Sequence, residues 1–192
     1  MVKTIDKTSL LCYNESMSKI MPIIGSTEYV TVGKYENIPA KIDTGADSSS
    51  IWASQIEITP DNVLHFALFD EGCPFYTGQT FSRTDYKVAV VRSATGEEQI
   101  RYRTKFKITI GGKVINALLY LSDRSSNNFP LLIGRRTISG RFLVDVSKKS
   151  VPQPPKNPRT LGLNAELRKN PYKFHQKYVK MSQKDAQKGA IK

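Results

Sequence analysis

An aspartate, a hydroxyl residue and a glycine follow one another at the end of a strand-like segment. The segment Ala40–Ile42 leads into Asp43, and Thr44, Gly45 and Ala46 come next. A carboxylate that activates water must project from a rigid backbone, and glycine permits a tight turn whose N–H can approach that carboxylate. The hydroxyl between them can hydrogen-bond the backbone. Asp43 is therefore the candidate catalytic carboxylate, although the same residue types also form ordinary turns.

Other catalytic chemistries lack the residues that they need. A catalytic zinc site requires three protein ligands, mostly histidine, and this chain has only His65 and His175. The phosphate-binding motif Gly-x-x-x-x-Gly-Lys-Ser/Thr is absent. The hydroxyl run Ser48–Ser50 lacks the Gly-x-Ser-x-Gly context of a nucleophilic serine, and Cys73 has only His65 near it in sequence, so both are expected to be structural. We expect no metal and no cofactor.

The strands that must position Asp43 are visible as β-branched and alternating stretches. The sequence predicts strands through "EYVTVGKYENIPAKIDTG", at "NVLHFALF" (62–69) and on both sides of a turn at "SATG" in the segment 85–110. A second hairpin is expected to turn at Gly111-Gly112. The segment "PLLIGRRTISGRFLVDV" predicts a short buried strand, one helical turn and a last strand. Helical periodicity is weak over residues 20–147, so the fold class is mainly β.

Positive charge is concentrated in the C-terminal part of the chain. Of the 29 Lys and Arg residues, 12 lie in residues 148–192, where Glu166 and Asp185 are the acidic residues. The 147 residues before them carry 17 basic and 15 acidic side chains and are nearly neutral. The sequence predicts a loose N-terminal extension (1–20), a domain (21–147) and a proline-rich joint with a basic tail (148–192).

Two readings of the basic tail stay open. After the joint "VPQPPKNP" (151–158), Asn170-Pro171 is typical of a helix start, and Phe174, Tyr178 and Met181 would line one stripe of that helix. The tail could be poorly ordered or lie against the domain, or it could bind RNA, the ribosome or an acidic partner.

The location expected from composition is the cytoplasm. No run of eighteen apolar residues predicts a membrane span, and the N-terminal sequence does not resemble a signal peptide. Cys12 and Cys73 do not form a disulfide framework, which favours a reducing compartment.

Three segments in order resemble one known family. "IDTGADSSS" (42–50) resembles the active-site loop of the retropepsin-like aspartic proteases, and the segments 108–121 and 129–145 are similar to the late hairpin and the apolar-apolar-Gly-Arg segment of that family. The bacterial branch often labelled "ATP-dependent zinc protease", written beside ligases that add glutamate to ribosomal proteins, has similar segments at Ala40–Ala46, Val91–Gly96 and Leu131–Asp145. The resemblance covers residues 23–147 and implies a closed β-barrel of the acid-protease half-domain type with a hairpin flap.

The resemblance also implies roles for the matched positions. Asp43 would be catalytic, and Thr44, Gly45 and Ala46 would form its loop. A hairpin turning at Ser93–Gly96 would be a flap over the substrate, with Ser93 and Gly96 as substrate contacts. The remaining implied roles are substrate binding for Asp47 and support of the loop for Gly134 and Arg135.

Aspartic proteases use two carboxylates that share one proton. The chain has no second Asp-Thr-Gly or Asp-Ser-Gly, so the simplest hypothesis is a homodimer in which the Asp43 side chains of two copies meet. The function expected is an aspartic endopeptidase acting on peptides or protein tails. The alternative is a peptide-binding or regulatory module that keeps the fold without proteolysis, with a tail that could associate with RNA or the ribosome.

Overall fold

The computed structural model describes residues 21–92, 98–152 and 158–178. The chain divides into two units, Met1–Pro152 and Gln153–Lys192. The described strands and helix of the first unit are β1 (Ile23–Ile24), β2 (Thr27–Val32), β3 (Tyr35–Asp43), β4 (Ser49–Ile58), β5 (Leu64–Leu68), β6 (Thr80–Arg83), β7 (Tyr86–Arg92), β8 (Glu98–Ile110), β9 (Lys113–Ser122), β10 (Leu131–Gly134), α1 (Arg135–Ile138) and β11 (Leu143–Val144).

Six strands of the first unit close into a barrel. The order around the barrel is β10-β3-β2-β8-β9-β4, and β10 returns to pair with β4. The pairs β10–β3 and β9–β4 are parallel, and the other pairs of the ring are antiparallel. The mainly β class and the closed barrel expected from the sequence are confirmed.

Alternate side chains of β8 point into the barrel interior. Phe106, Ile108 and Ile110 are buried, whereas the neighbouring Lys105 and Lys107 are exposed. The turn after β8 has φ values of 52° at Gly111 and 74° at Gly112, a backbone conformation that glycine adopts readily. The predicted hairpin at these glycines is therefore present.

The strand β4 was not predicted. It begins at Ser49 inside the hydroxyl run, directly after the Asp43 loop, and lies between β9 and β10 in the ring. Its first residues Ser49, Ser50 and Ile51 are buried. A polar run that enters a barrel wall gives no apolar alternation, which explains why the pattern missed it.

The predicted strands on either side of "SATG" form a long hairpin. β7 and β8 pair from Tyr86↔Thr104 to Arg92↔Glu98. Residues 93–97 lie outside the described residues, so the expected flap positions Ser93 and Gly96 stay predictions.

The end of the first unit lies beyond residue 147. Val151 is buried, its carbonyl accepts a hydrogen bond from Thr27 Oγ1 at 2.9 Å, and Ser26 N donates to Lys148 O at 2.8 Å. Residues that the sequence assigns to the proline-rich joint thus hydrogen-bond to β2 and to the turn before it.

The second unit contains two helical stretches. Helix α2 (Pro158–Lys169) differs from the sequence prediction, which assigns Pro158 to the joint. Proline is well suited to a first helical position, where its missing N–H costs no hydrogen bond. Residues 171–178 are also helical, and Asn170 Oδ1 accepts a hydrogen bond from Lys173 N at 2.9 Å. This confirms the predicted start with Asn170 as the cap.

No helix among the described residues is long and apolar enough to cross a membrane.

Candidate active site

Two neighbouring parallel strands, β3 and β10, end side by side at Asp43 and Gly134. The last residue pairs of β3 and β10 are Ile42↔Ile133 and Asp43↔Gly134. Ile42 and Ile133 are buried, so the strand ends are fixed by the core. Asp43 therefore projects from the rigid edge of the barrel.

The Asp43 carboxylate is oriented by its own loop. Its Oδ1 accepts hydrogen bonds from Gly45 N and Ala46 N, both at 3.1 Å. Its Oδ2 lies 3.9 Å from Lys41 Nζ, and the side chain is 30% exposed. The carboxylate is thus held by backbone donors and remains accessible to water, as activation of a water molecule requires.

A buried hydroxyl pair supports the loop from below. Ser49 Oγ accepts a hydrogen bond from Gly134 N at 3.0 Å and lies 2.8 Å from Thr137 Oγ1. Ser49 and Thr137 are both buried. These contacts join the start of β4 to α1 and to Gly134, the residue that pairs with Asp43.

Replacing Ser49 with Ala should lower the free energy of unfolding by about 1–3 kcal/mol, because the buried Gly134 N–H loses its acceptor. Chemical denaturation of the variant measures this loss. Ser82→Ala, which removes an exposed hydroxyl, is the matched control and should change stability by less than about 0.5 kcal/mol. Equal stability of the two variants would contradict a supporting role for Ser49.

The loop after Asp43 is also tied to α1. Arg135 N donates to Ala46 O at 2.8 Å and Arg136 N donates to Asp47 O at 3.1 Å. The Asp47 carboxylate forms an ion pair with Arg135, and Arg136 Nη2 lies 3.9 Å from Asp47 Oδ2. Asp47, Gly134 and Arg135 thus lie together with Asp43, and in this chain Asp47 is engaged by arginines.

An open cavity of about 690 Å³ lies beside the loop. It is lined by Ala46, Asp47 and Ser48 of the loop and by an arginine cluster. The members of this arginine cluster, which come from β8, the segment after β9 and α1, are Arg101, Arg103, Arg124 and Arg136.

Positive charge in this cavity is poorly compensated. No ion pair between described residues uses Arg101, Arg103 or Arg124. Burial lowers the pKa of Arg124, and the positive charge of Arg101 lowers it further. An anion bound between these side chains would relieve that repulsion.

Neutral groups hold two of the guanidinium groups in place. Arg124 Nε donates to Phe129 O and its Nη1 to Ser50 Oγ, both at 3.0 Å. The Arg103 guanidinium stacks on the Tyr120 ring at 5.5 Å, and its buried Nε has no hydrogen-bond partner among the described residues. The cavity therefore presents oriented cationic donors, which suits the binding of carboxylates.

The remaining candidate residues from the sequence are Thr44, His65 and Cys73. Thr44 is exposed, and its hydroxyl makes no hydrogen bond with another described residue. In the described part of the chain, no three His, Cys, Asp or Glu residues are placed to hold a metal ion. Cys73 is buried, and His65 Nδ1 is 3.4 Å from Ser82 Oγ. The residues that sequence reasoning missed are Ser49 and the arginine cluster.

The comparisons with known proteins identify a family. A family model described as RimB-like, "Retropepsin-like aspartic endopeptidase RimB", matches residues 23–155. The chain belongs to the RimB-like family. The resemblance noted in the sequence is thereby confirmed.

Curated relatives of this RimB-like chain carry a different name. A protein of Shewanella pealeana named "Probable alpha-L-glutamate ligase" is 30% identical over 131 residues, which are 66% of this chain and 29% of that protein. A protein of the same name from Desulfotalea psychrophila is 26% identical over 128 residues, covering 64% of this chain and 28% of the relative. The chain thus spans less than a third of the curated relatives that it matches.

A solved structure is also similar. The crystal structure of a protein of unknown function from Legionella pneumophila is 25% identical, with a TM-score of 0.49, and the match covers 67% of this chain and 95% of that one.

Proposed function

We propose that the protein is an aspartic-type endopeptidase that cleaves acidic peptides or protein tails. The proposal rests on one observation: the Asp43 loop at the barrel edge lies next to a cavity that is lined by the arginine cluster. The first supplies a catalytic carboxylate, and the second supplies binding for negative charge.

In the proposed mechanism two copies of the chain each contribute Asp43. The ionised carboxylate takes a proton from water while the water oxygen forms a bond to the scissile carbonyl carbon. The protonated carboxylate of the other copy donates its proton to the carbonyl oxygen. Collapse of the tetrahedral intermediate breaks the C–N bond, and the leaving nitrogen accepts a proton from the dyad. No metal and no cofactor enters this scheme.

Glutamate-rich chains are the substrate class that the cavity suits best. Arginine binds carboxylates with two parallel hydrogen bonds, and a cluster of four arginines can engage successive acidic side chains. The relatives named as alpha-L-glutamate ligases are consistent with a substrate that carries added glutamate. We therefore place a glutamate-rich protein tail in the cavity.

The experiment compares peptides that differ only in charge. The protein is incubated with a peptide ending in several glutamates, and with the same peptide carrying glutamines, and the products are identified by mass spectrometry. We expect cleavage of the glutamate peptide and little of its glutamine counterpart. No cleavage of either peptide over a range of pH and protein concentration would contradict the proposed peptidase activity.

Arg101 offers a test of substrate binding. Arg101→Gln should raise KM for the glutamate peptide by about tenfold, because a charged hydrogen bond contributes about 1.5–3 kcal/mol. Arg83→Gln removes an arginine that lines a different cavity and lies over the Phe81 ring, and it should leave KM unchanged. A similar change of KM in both variants would indicate a general charge effect.

One observation favours the alternative of a peptide-binding module without catalysis. The charged group paired with Asp43 is Lys41, and no carboxylate of the described chain pairs with it. Without a second copy the protein would keep the arginine-lined cavity but lack the dyad. Binding of the glutamate peptide without cleavage would support this alternative.

A further inference from the structure

The helical second unit has an exposed basic surface with an aromatic residue at its centre. We define it by Arg168 and Lys169 at the end of α2 and by Tyr172 and Lys173 at the start of the next helical stretch. All four are exposed, and Tyr172 is 73% exposed. A tyrosine so exposed between three cations has no packing role within the described part of this unit.

Glu166 carries the one carboxylate side chain in the described part of this unit, and it already accepts hydrogen bonds within the unit. Glu166 Oε1 accepts a hydrogen bond from Lys177 Nζ at 2.8 Å, and its Oε2 accepts one from Tyr178 OH at 2.9 Å. No ion pair between described residues uses Arg168, Lys169 or Lys173. The three cations are therefore available for an external anion.

We propose that this surface binds single-stranded nucleic acid, with phosphates at Arg168, Lys169 and Lys173 and a base stacked on Tyr172. Base stacking on an aromatic ring together with cationic contacts to the backbone is the general mode of single-strand binding. An acidic peptide would use the cations but gains nothing from the exposed ring. The ring in turn distinguishes single strands from a duplex, whose bases are already stacked.

The test uses the full chain and a fluorescently labelled oligouridylate of about twelve nucleotides. Wild-type protein should bind it with an affinity that falls steeply as salt rises, since bound phosphates release counterions. Replacing Arg168, Lys169 and Lys173 together with Gln should reduce the slope of log K against log salt by about 2, because three contacts at about 0.7 each are lost. Replacing the exposed lysines Lys34, Lys87 and Lys107 with Gln makes the same charge change in the first unit and should leave the slope near that of wild type.

Variants of Tyr172 distinguish binding by base stacking from binding by charge attraction alone. Tyr172→Ala should weaken binding about tenfold, whereas Tyr172→Phe keeps the ring and should bind as wild type does. Equal binding by all three proteins, tighter binding of the duplex, or equally tight binding of polyglutamate or of phosphatidylserine vesicles would overturn the proposal. Peptide cleavage is measured in parallel and should be unchanged by these variants, so this inference and the proposed peptidase activity can fail separately.

Discussion

Asp43→Asn should reduce the rate of peptide cleavage by about 10³-fold or more, because an amide can neither accept the proton of the attacking water nor share a proton with a second carboxylate. Asparagine has the shape of aspartate, and its Oδ1 can still accept the hydrogen bonds from Gly45 N and Ala46 N. The fold should therefore survive, with circular dichroism like that of wild type and a Tm within a few degrees. Cleavage of the glutamate peptide is the measurement, and retained cleavage would contradict an aspartic mechanism.

The same variant tests whether two copies form the site. If each active site needs Asp43 from two copies, an excess of Asp43→Asn protein added to wild type should draw the wild-type chains into inactive mixed dimers. Activity should then fall well below that of the undiluted wild type. Activity that stays constant on mixing, together with a monomeric mass by sedimentation, would mean that Asp43 works without a partner copy.

The fate of the glutamate peptide bound to wild type distinguishes the two functional proposals, and Asp43→Asn is the control for binding without cleavage. The arginine cluster does not include Asp43, so the variant should bind the peptide about as tightly as wild type. Uncleaved peptide bound to wild type itself would favour the binding module.

The sequence alone predicted the features that depend on local chemistry. The Asp43 loop was recognised because a strand end, a carboxylate and a glycine lie within a few residues. The hairpin at Gly111-Gly112 was recognised because positive φ values at two successive residues favour glycine. The helix start at Asn170 was recognised in the same way, from a capping residue followed by proline.

The arginine cluster could not be predicted because it depends on barrel closure. Arg101 and Arg103 lie two residues apart in β8, so their side chains share one face of the sheet. The sequence does not show whether that face lines the cavity. Arg124 follows β9 and Arg136 lies in α1, so only the ring of paired strands brings them together. Ser49 was missed for a related reason: a serine in a hydroxyl run does not reveal that a distant Gly134 N–H needs its oxygen.

Replacing Gly134 with Ala should disrupt the site through the backbone rather than through any reacting group. A Cβ at this position would lie 2.5 Å from Ser48 O and 2.8 Å from Ala46 O. Both are backbone atoms of the segment that follows Asp43, and contacts so short force one strand to move. We expect a loss of about 3 kcal/mol in the free energy of unfolding, at the upper end of ordinary overpacking.

The matched control is Gly72→Ala, because a Cβ there meets nothing within 4 Å and the φ angle is not in the left-handed region. Its stability should differ from wild type by less than about 0.5 kcal/mol. Denaturant titration of the two variants compares the same chemical change in a tight and an open environment. Similar stabilities would mean that the loop yields to the added methyl group at little cost.

Folded Gly134→Ala protein should also lose activity. The residue neither reacts nor contacts the Asp43 carboxylate by hydrogen bond, yet its chain position pairs with Asp43 and its N–H is held by Ser49. Displacing the Asp43 loop by about 1 Å should lower kcat by about 10²-fold even where the barrel remains folded, since catalysis depends on alignment of the carboxylate with the attacked carbonyl. Normal kcat in a folded but destabilised variant would mean that the alignment of Asp43 is set by Gly45, Ala46 and Lys41 alone. A loss of kcat with little change in KM would instead place Gly134 among the residues that position the catalytic carboxylate.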